Sequence, residues 1–391
     1  MNQQLVSQVT TLGDATRSLS MAISQHAPEY SVEGVTELTA DQRTMFQEFI
    51  RARPFGAVTI PWCEMLRSTN LPGIDLYYLI IASHGSPKAL ASFYVLKRLN
   101  IAKYISSSFS KCLDWLARWG IRPLSFNIGF LDIPFTNMAG MLAAPEVSDQ
   151  ERNRMMLSVV DYLRKKSDIH VLVTTTEPTL ELRASLATEG FIQISAPPNT
   201  MLATPFKTFE DYVASLPRKV RWDVKDKIRR FEEANGRIER RIHLDKDAKA
   251  VYELFQQTCQ AHEGQDIAWP VQPNLSIFEQ VEKLGDSQRI LLAYIGDRLT
   301  GFLMLVQSGD TLFFKFCGLD YELSRESMAY FNLFYQGIRY GIERGCRQIS
   351  LGPTSYFNKE RLGAELRPVD LQLLIVRGSL RLLRRVMRLG I

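Results

Sequence analysis

Residues 289–316, RILLAYIGDRLTGFLMLVQSGDTLFFKF, are the stretch whose reading decides the fold. Two apolar runs, Arg289–Ile295 and Thr300–Gln307, flank the turn Gly296-Asp-Arg-Leu, and a third, Thr311–Phe316, follows across Ser308-Gly-Asp. Short apolar runs separated by Gly/Asp turns predict antiparallel strands. Downstream, Met328, Phe331, Phe334, Ile338 and Ile342 recur at helical spacing between Glu326 and Arg344, and Gly345 ends the pattern. A strand at Gln348–Leu351, a short helix around 358–365 and a strand at Leu371–Val376 complete the segment.

Working outward, the same order occurs earlier in the chain. Leu76–Ser83 and Ala89–Leu96 read as strands around His84-Gly-Ser-Pro, and Leu124–Leu131 as another. Ser148 stands three residues before Glu151, a capping box that opens a helix over 149–166. A strand at Ile169–Thr174, a short helix and a strand at Phe191–Ile194 follow. Repetition of hairpin, strand, long helix, strand, helix, strand predicts an α+β chain of two domains, each a mixed, mostly antiparallel sheet flanked by helices. The expected boundaries are a leader or short helix over 1–35, an N-terminal domain over 36–206 and a C-terminal domain over 207–391. A charged helix, roughly Phe209–Gly236, is expected to open the second domain, and another spans 247–260.

Length and composition agree with two domains. The 391 residues exceed one ordinary core, and 46% apolar with 23% charged residues is a globular balance. No apolar run reaches the length of a bilayer crossing, and no basic-then-apolar start marks a secretory signal. Five cysteines without a CxxC pair argue for reduced thiols, no metal site and a cytoplasmic setting. A net charge of +5 suits an anionic partner without marking a dedicated nucleic-acid binder. The charge is uneven: residues 207–241 hold eleven Lys/Arg against seven Asp/Glu.

Three stretches carry a resemblance. Phe209-Glu-Asp-Tyr-Val-Ala-Ser-Leu-Pro-Arg-Lys-Val-Arg-Trp-Asp-Val-Lys-Asp-Lys-Ile-Arg-Arg looks like the inter-domain link of the Fem-type and related GNAT N-acyltransferases. Tyr340-Gly-Ile-Glu-Arg-Gly-Cys-Arg-Gln-Ile-Ser-Leu-Gly is similar to their long helix and following strand. Phe357-Asn-Lys-Glu-Arg-Leu-Gly-Ala-Glu-Leu-Arg-Pro resembles their signature after that strand. The motifs cover mainly residues 207–370, and the first half matches by element order alone. The resemblance implies two GNAT-type (acyl-CoA N-acyltransferase) folds in tandem and acyl transfer to an amine.

One departure bears on the donor. A CoA-using GNAT domain places a glycine-rich loop before its long helix, whose N–H groups cradle the pyrophosphate. Here that stretch is Gly318-Leu-Asp-Tyr-Glu-Leu-Ser-Arg-Glu-Ser, with one glycine and the acids Asp320, Glu322 and Glu326. The first half offers Pro134-Phe-Thr-Asn-Met-Ala-Gly, with one glycine and no basic residue. Fem-type enzymes lack the same loop and draw an aminoacyl group from tRNA. The expected co-substrate is therefore aminoacyl-tRNA, an acyl-carrier protein or acyl-CoA bound otherwise, with no permanently bound cofactor.

Acyl transfer to an amine needs a proton acceptor, a polarised carbonyl and an attack geometry. His262 and Glu263 precede Gln265-Asp-Ile-Ala-Trp-Pro, where the resemblance implies a cap on the acceptor pocket. The pair, with Trp269, is either acceptor machinery or a solvated loop. Tyr356 and Lys359, with Arg361 and Arg367, hold an anionic donor or a developing oxyanion, or else fix a helix to the sheet. Asp320 and Tyr321 stand where the central strand ends. Asp320 is a general base or a helix N-terminal acid. Arg218, Lys219 and Arg221 meet the phosphates of a tRNA or carrier arm, or lie in a solvated face laced by i,i+4 pairs. The tail 377–391 rests on an anionic membrane or packs on the body of the fold. Cys317 is a candidate acid or nucleophile whose bland reading is core. The expected activity is amide formation on a small-molecule amine or amino acid, with the second half active and the cleft between halves as acceptor site. The rival is a non-catalytic pair that binds a carrier protein or tRNA as an assembly factor.

Overall fold

The structure, a computed structural model, describes residues 29–51, 58–100, 125–136, 140–166, 168–174, 180–262 and 272–376. The strands are β1 (Ser31–Val35), β2 (Ile74–Ser83), β3 (Ser86–Asn100), β4 (Ser125–Phe130), β5 (Met141–Ala143), β6 (Val171–Thr174) and β7 (Ile192–Ala203) in the first half. The second half adds β8 (Gly236–Arg241), β9 (Gln288–Ile295), β10 (Arg298–Ser308), β11 (Thr311–Leu319), β12 (Gln348–Ser350) and β13 (Glu365–Ile375). The helices are α1 (Ala40–Arg51), α2 (Thr59–Ser68), α3 (Asp149–Arg164), α4 (Leu180–Thr188), α5 (Phe209–Ser215), α6 (Arg218–Glu233), α7 (Ala248–Ala261), α8 (Leu275–Glu279), α9 (Tyr321–Ser327), α10 (Ala329–Glu343) and α11 (Tyr356–Arg361).

The repeat seen in the sequence is present in space. Each half has an antiparallel hairpin, β2–β3 and β9–β10, followed by a strand that pairs parallel with a later one across a long helix. Those parallel pairs are β4 with β6 and β11 with β12. The capping box of Ser148 and Glu151 opens α3 as expected, satisfying end N–H groups that the helix cannot pair internally.

Several expectations need correction. Residues 31–35, read as part of a leader or short helix, form an edge strand in register with β2, Ser31 opposite Ala82. The charged helix is two helices, because Leu216 takes an extended ψ of 155° before Pro217. The helix expected from Glu326 to Arg344 is also two, divided by Met328 at φ 63°.

The halves are interleaved rather than merely adjacent. The strands run in the order β1-β2-β3-β4-β6-β13-β7-β12-β11-β10-β9-β8, with β5 beside β3. The last strand of the second half, β13, thus lies between two strands of the first, and β7 lies between β13 and β12. A cut at 206/207 in sequence therefore crosses a shared sheet. β10 shows how both faces of that sheet are covered. Phe302, Met304 and Val306 enter one core, while Leu303 and Leu305 enter the other, beneath α10.

An aromatic cluster joins the halves on the first of these faces. The Phe316 ring lies 5.6 Å from Phe255, 5.9 Å from Phe278, 6.0 Å from Phe135 and 6.3 Å from Trp62, the last two belonging to the first half. Trp62 donates its Nε1–H to the Pro134 carbonyl at 2.9 Å, so its one polar atom is satisfied inside the cluster. Hydrogen bonds from Asn274 to the Thr69 carbonyl (3.0 Å) and from Gln280 to the Ser68 carbonyl (3.2 Å) cross the same junction.

Candidate active site

β11 and β12 are paired over three residues only, Thr311↔Gln348, Leu312↔Ile349 and Phe313↔Ser350. Beyond them β11 continues to Leu319 unpaired with β12, whose next residue Leu351 stays bonded to the Thr200 carbonyl of β7 at 2.9 Å, so the two strands part. A bulge stands at the point of parting. Leu305 faces Phe314 and Leu303 faces Cys317, which leaves Lys315 and Phe316 opposite the single Met304. A bulge of this kind re-aims the side chains around it. Cys317 packs towards the core beneath α10, and Lys315 stands against Trp62 on the other face.

The loop that leaves β12 is strained. Gly352 (φ 76°), Thr354 (φ 70°) and Ser355 (φ 49°) all take left-handed conformations, which cost the two non-glycine residues about 1–3 kcal/mol each. Lys359 of α11 holds the loop in place. Its Nζ donates to the Gly352 and Pro353 carbonyls, each at 2.9 Å. Thr200 of β7, fully buried, donates its hydroxyl to the same Gly352 carbonyl, so the first half also clamps the loop.

Lys359 is 3% exposed and has no carboxylate partner among the described residues. Burial pulls its ammonium down from 10.5 to about 7. An ammonium has three N–H donors, and the two carbonyls use two of them. Cys317 lies beside it, pushed up to about 12 by burial, and is therefore a thiol at neutral pH. Next to Cys317 stands Tyr330, whose phenol burial also raises above its ordinary value and which shares a hydrogen bond with Ser355. Tyr321 is near Tyr330, and its hydroxyl lies 2.9 Å from His262 Nε2. Tyr321 and Cys317 thus both act electrostatically on Tyr330, and Lys359 on Cys317, which places these groups in one region of the fold.

The structure thereby brings His262 and Tyr321 together and places Lys359 on the loop after β12. Glu263 and Trp269 lie outside the described residues, as does the tail 377–391. Tyr356 is turned the other way, its hydroxyl donating to the Pro198 carbonyl at 3.1 Å. Asp320 caps α9: its Oδ1 accepts from the Glu322 and Leu323 N–H groups, and its Oδ2 pairs with Arg298 at 2.7 Å. Both carboxylate oxygens are engaged, one in the helix cap and one in the ion pair. Arg361 is paired with Asp223 at 3.2 Å, tying α11 to α6. Arg367 lies exposed on β13 beside Glu365. On α6, Arg218 and Lys219 are exposed and Arg221 donates to the Ala214 carbonyl at 2.7 Å. Trp222, on the same helix, is 69% exposed.

Tyr330 and Lys315 were not among the sequence candidates. Tyr330 sits in an apolar helical pattern that hides a polar tip, and Lys315 in a strand where a single lysine carries no motif. In both cases the signal is the neighbour across the fold. The capped α9 also bears on donor choice. In a pyrophosphate cradle the N–H groups at this turn face the ligand, whereas here the Asp320 carboxylate takes them, so this turn does not fit CoA held in that way. Among the described residues no helix is long and apolar enough to cross a membrane.

Comparison with known proteins bears on the fold. Residues 218–360 match the family model described as Acetyltransferase (GNAT) domain. No curated protein matches the chain in sequence. Among solved structures the chain is similar to FemX, with a TM-score of 0.58 at 12% identity over 90% of this chain and 99% of that one. It is also similar to a tandem GNAT protein from the clavulanic acid biosynthesis pathway, with a TM-score of 0.51 at 13% identity over 89% and 99% of the two chains. A conserved protein of unknown function from Bacteroides thetaiotaomicron gives a TM-score of 0.52 at 10% identity, covering 88% and 100%. The chain has a fold like that of FemX and of the tandem GNAT protein, and residues 218–360 match the GNAT domain.

Proposed function

We propose that this tandem GNAT chain is an N-acyltransferase that moves an acyl or aminoacyl group from an activated donor to the amine of a small molecule. The observation that carries the reading is Lys359, a buried lysine without a carboxylate partner among the described residues, which clamps a strained loop where β11 and β12 part. In the reaction the acceptor nitrogen attacks the donor carbonyl carbon and the carbon–sulfur or carbon–oxygen bond to the carrier breaks. The nitrogen loses one proton and the departing thiol or hydroxyl gains one. The free N–H of Lys359 meets the oxyanion that forms between these events, a contribution of the oxyanion-hole kind. The His262–Tyr321 pair takes the proton from the amine. Tyr330, kept protonated by burial, supplies the proton to the leaving group.

The donor is a thioester of CoA or of an acyl carrier protein, or an aminoacyl-tRNA. The Asp320 cap favours a carrier that does not need the pyrophosphate turn. The exposed Arg218 and Lys219, with Trp222 beside them, are the surface offered to such a carrier. The test is to present isotopically labelled acyl-CoA, acyl-carrier protein and aminoacyl-tRNA to the protein with a pool of small amines. The expected result is a labelled amide from one donor class, and RNase sensitivity separates the tRNA donor from the thioesters. Carrier or tRNA binding with no amide from any donor would replace this reading with a non-catalytic binding pair.

A further inference from the structure

β11 carries a second lysine, half-buried, on the face opposite Lys359. Lys315 stands at the bulge, with its Nζ 5.8 Å from the ring centres of both Trp62 and Phe313. Trp62 comes from α2 of the first half, so Lys315 lies at the junction between the halves. It makes no hydrogen bond or ion pair among the described residues, and burial alone pulls its ammonium down from 10.5 to about 7. Trp62 has already given its N–H to Pro134, so Lys315 is the open donor beside these rings. Removing an ammonium from water without an anion beside it is costly, and the described residues supply no such anion here. The aromatic wall next to it offers only weak compensation through ring faces.

We infer that Lys315 holds the carboxylate of the acceptor, which is an amino-acid-like amine with an apolar body that lies against Trp62 and Phe313. This rests on the N-acyltransferase reading and names the substrate class of the same site. The cation count selects a monoanion. Among the described residues one lysine, with neither an arginine nor a second lysine beside it, balances one carboxylate, whereas a phosphate dianion calls for two cations or a guanidinium fork. The position fits the reaction. Lys315 and Cys317 flank one bulge, so an acceptor anchored at Lys315 reaches the parting of the strands from the first-half side while Lys359 faces it from the other. Binding a carboxylate also restores the charged form, so above neutral pH the acceptor enters together with a proton.

The test has a readout independent of turnover. Wild-type protein is trace-labelled near pH 7 with an amine-reactive ester, and acylation of each lysine is followed by peptide mass spectrometry. Lys315 is expected to react at least about tenfold faster than the exposed Lys165, because far more of it is neutral at that pH. The probe 4-methylpentanoate should slow that reaction, whereas 4-methylpentanamide, of the same shape without the charge, should not. Equal protection by acid and amide, no protection by either, or a Lys315 closed to the reagent would each overturn the inference. In the second arm, Lys315→Met, which removes an unpaired ammonium and keeps the apolar stem, is assayed with leucine and with 3-methylbutylamine. The expected result is a KM for leucine raised at least about tenfold with kcat changed less than about twofold, and no change for the amine. A loss of kcat on both acceptors would instead make Lys315 a proton acceptor and contradict the carboxylate role. If no donor supports turnover, the acyltransferase reading fails while the protection arm still decides whether an anion site exists.

Discussion

Replacing Lys359 by methionine removes a buried charge and the clamp it forms, and the two effects separate by pH. The folded protein holds the Lys359 ammonium near 7 against 10.5 for a free side chain, a difference of about 3.5 units. At about 1.36 kcal/mol per unit, the charged form costs the fold up to about 5 kcal/mol relative to the neutral one. The sign follows from proton counts. Between pH 7 and 10.5 the unfolded chain binds more protons at this lysine than the folded one, so stability rises with pH across that window and is flat below it. The slope from this one group reaches about 1.4 kcal/mol per pH unit. Lys359→Met has no such slope but gives up two hydrogen bonds to the Gly352 and Pro353 carbonyls, worth about 1–3 kcal/mol each. Urea unfolding of both proteins from pH 6 to 9.5 should therefore show the wild type gaining about 2–3 kcal/mol on the variant between pH 7 and 9. Lys315 contributes equally to both and cancels in the difference. Parallel stability curves would refute the reasoning, because they would mean that Lys359 is not desolvated in the fold.

Two other substitutions test the frame around the site. Gly318→Ala would place a Cβ 2.6 Å from the Phe255 backbone nitrogen and 2.7 Å from the Leu254 carbonyl carbon, so α7 must move off β11; a loss of at least about 2 kcal/mol in thermal or urea unfolding is expected, as for overpacking a tight core. Asp320→Ala should cost about 0.5–2 kcal/mol through loss of the α9 cap, while Asp320→Asn, which keeps the accepting oxygen, should cost markedly less, measured by the same unfolding curves.

Local signals in the chain were enough for most of the architecture. The Gly296 and Ser308-Gly turns between apolar runs locate β9, β10 and β11, and the Ser148/Glu151 pair starts α3 where it begins. The interleaving of β13 with β6 and β7 could not be read, because strand order depends on contacts between residues some two hundred positions apart. β8, with the sequence GRIERR, was missed because its charges mask any alternation; the strand is held by pairing with β9 at the sheet edge. Met328 breaks a periodic apolar pattern without a Gly or Pro to announce it. Of the candidate site, the sequence pointed to Lys359 through its signature and to His262 and Tyr321 as polar residues at element ends. Asp320 was ambiguous in sequence because one carboxylate serves equally well as base or cap; in the structure it accepts from the N–H groups of Glu322 and Leu323. Tyr330 and Lys315 take their chemistry from burial against residues distant in sequence, which no local pattern encodes.

The central claim is that acyl transfer takes place where β11 and β12 part, with Lys359 facing the oxyanion. It is tested most directly by single-turnover amide formation in wild type and Lys359→Met, using the donor class that supports turnover, at a pH where both are fully folded. A loss of at least about a hundredfold in the rate of the chemical step, with donor binding retained, is the predicted result. An unchanged rate in the folded variant would contradict the account.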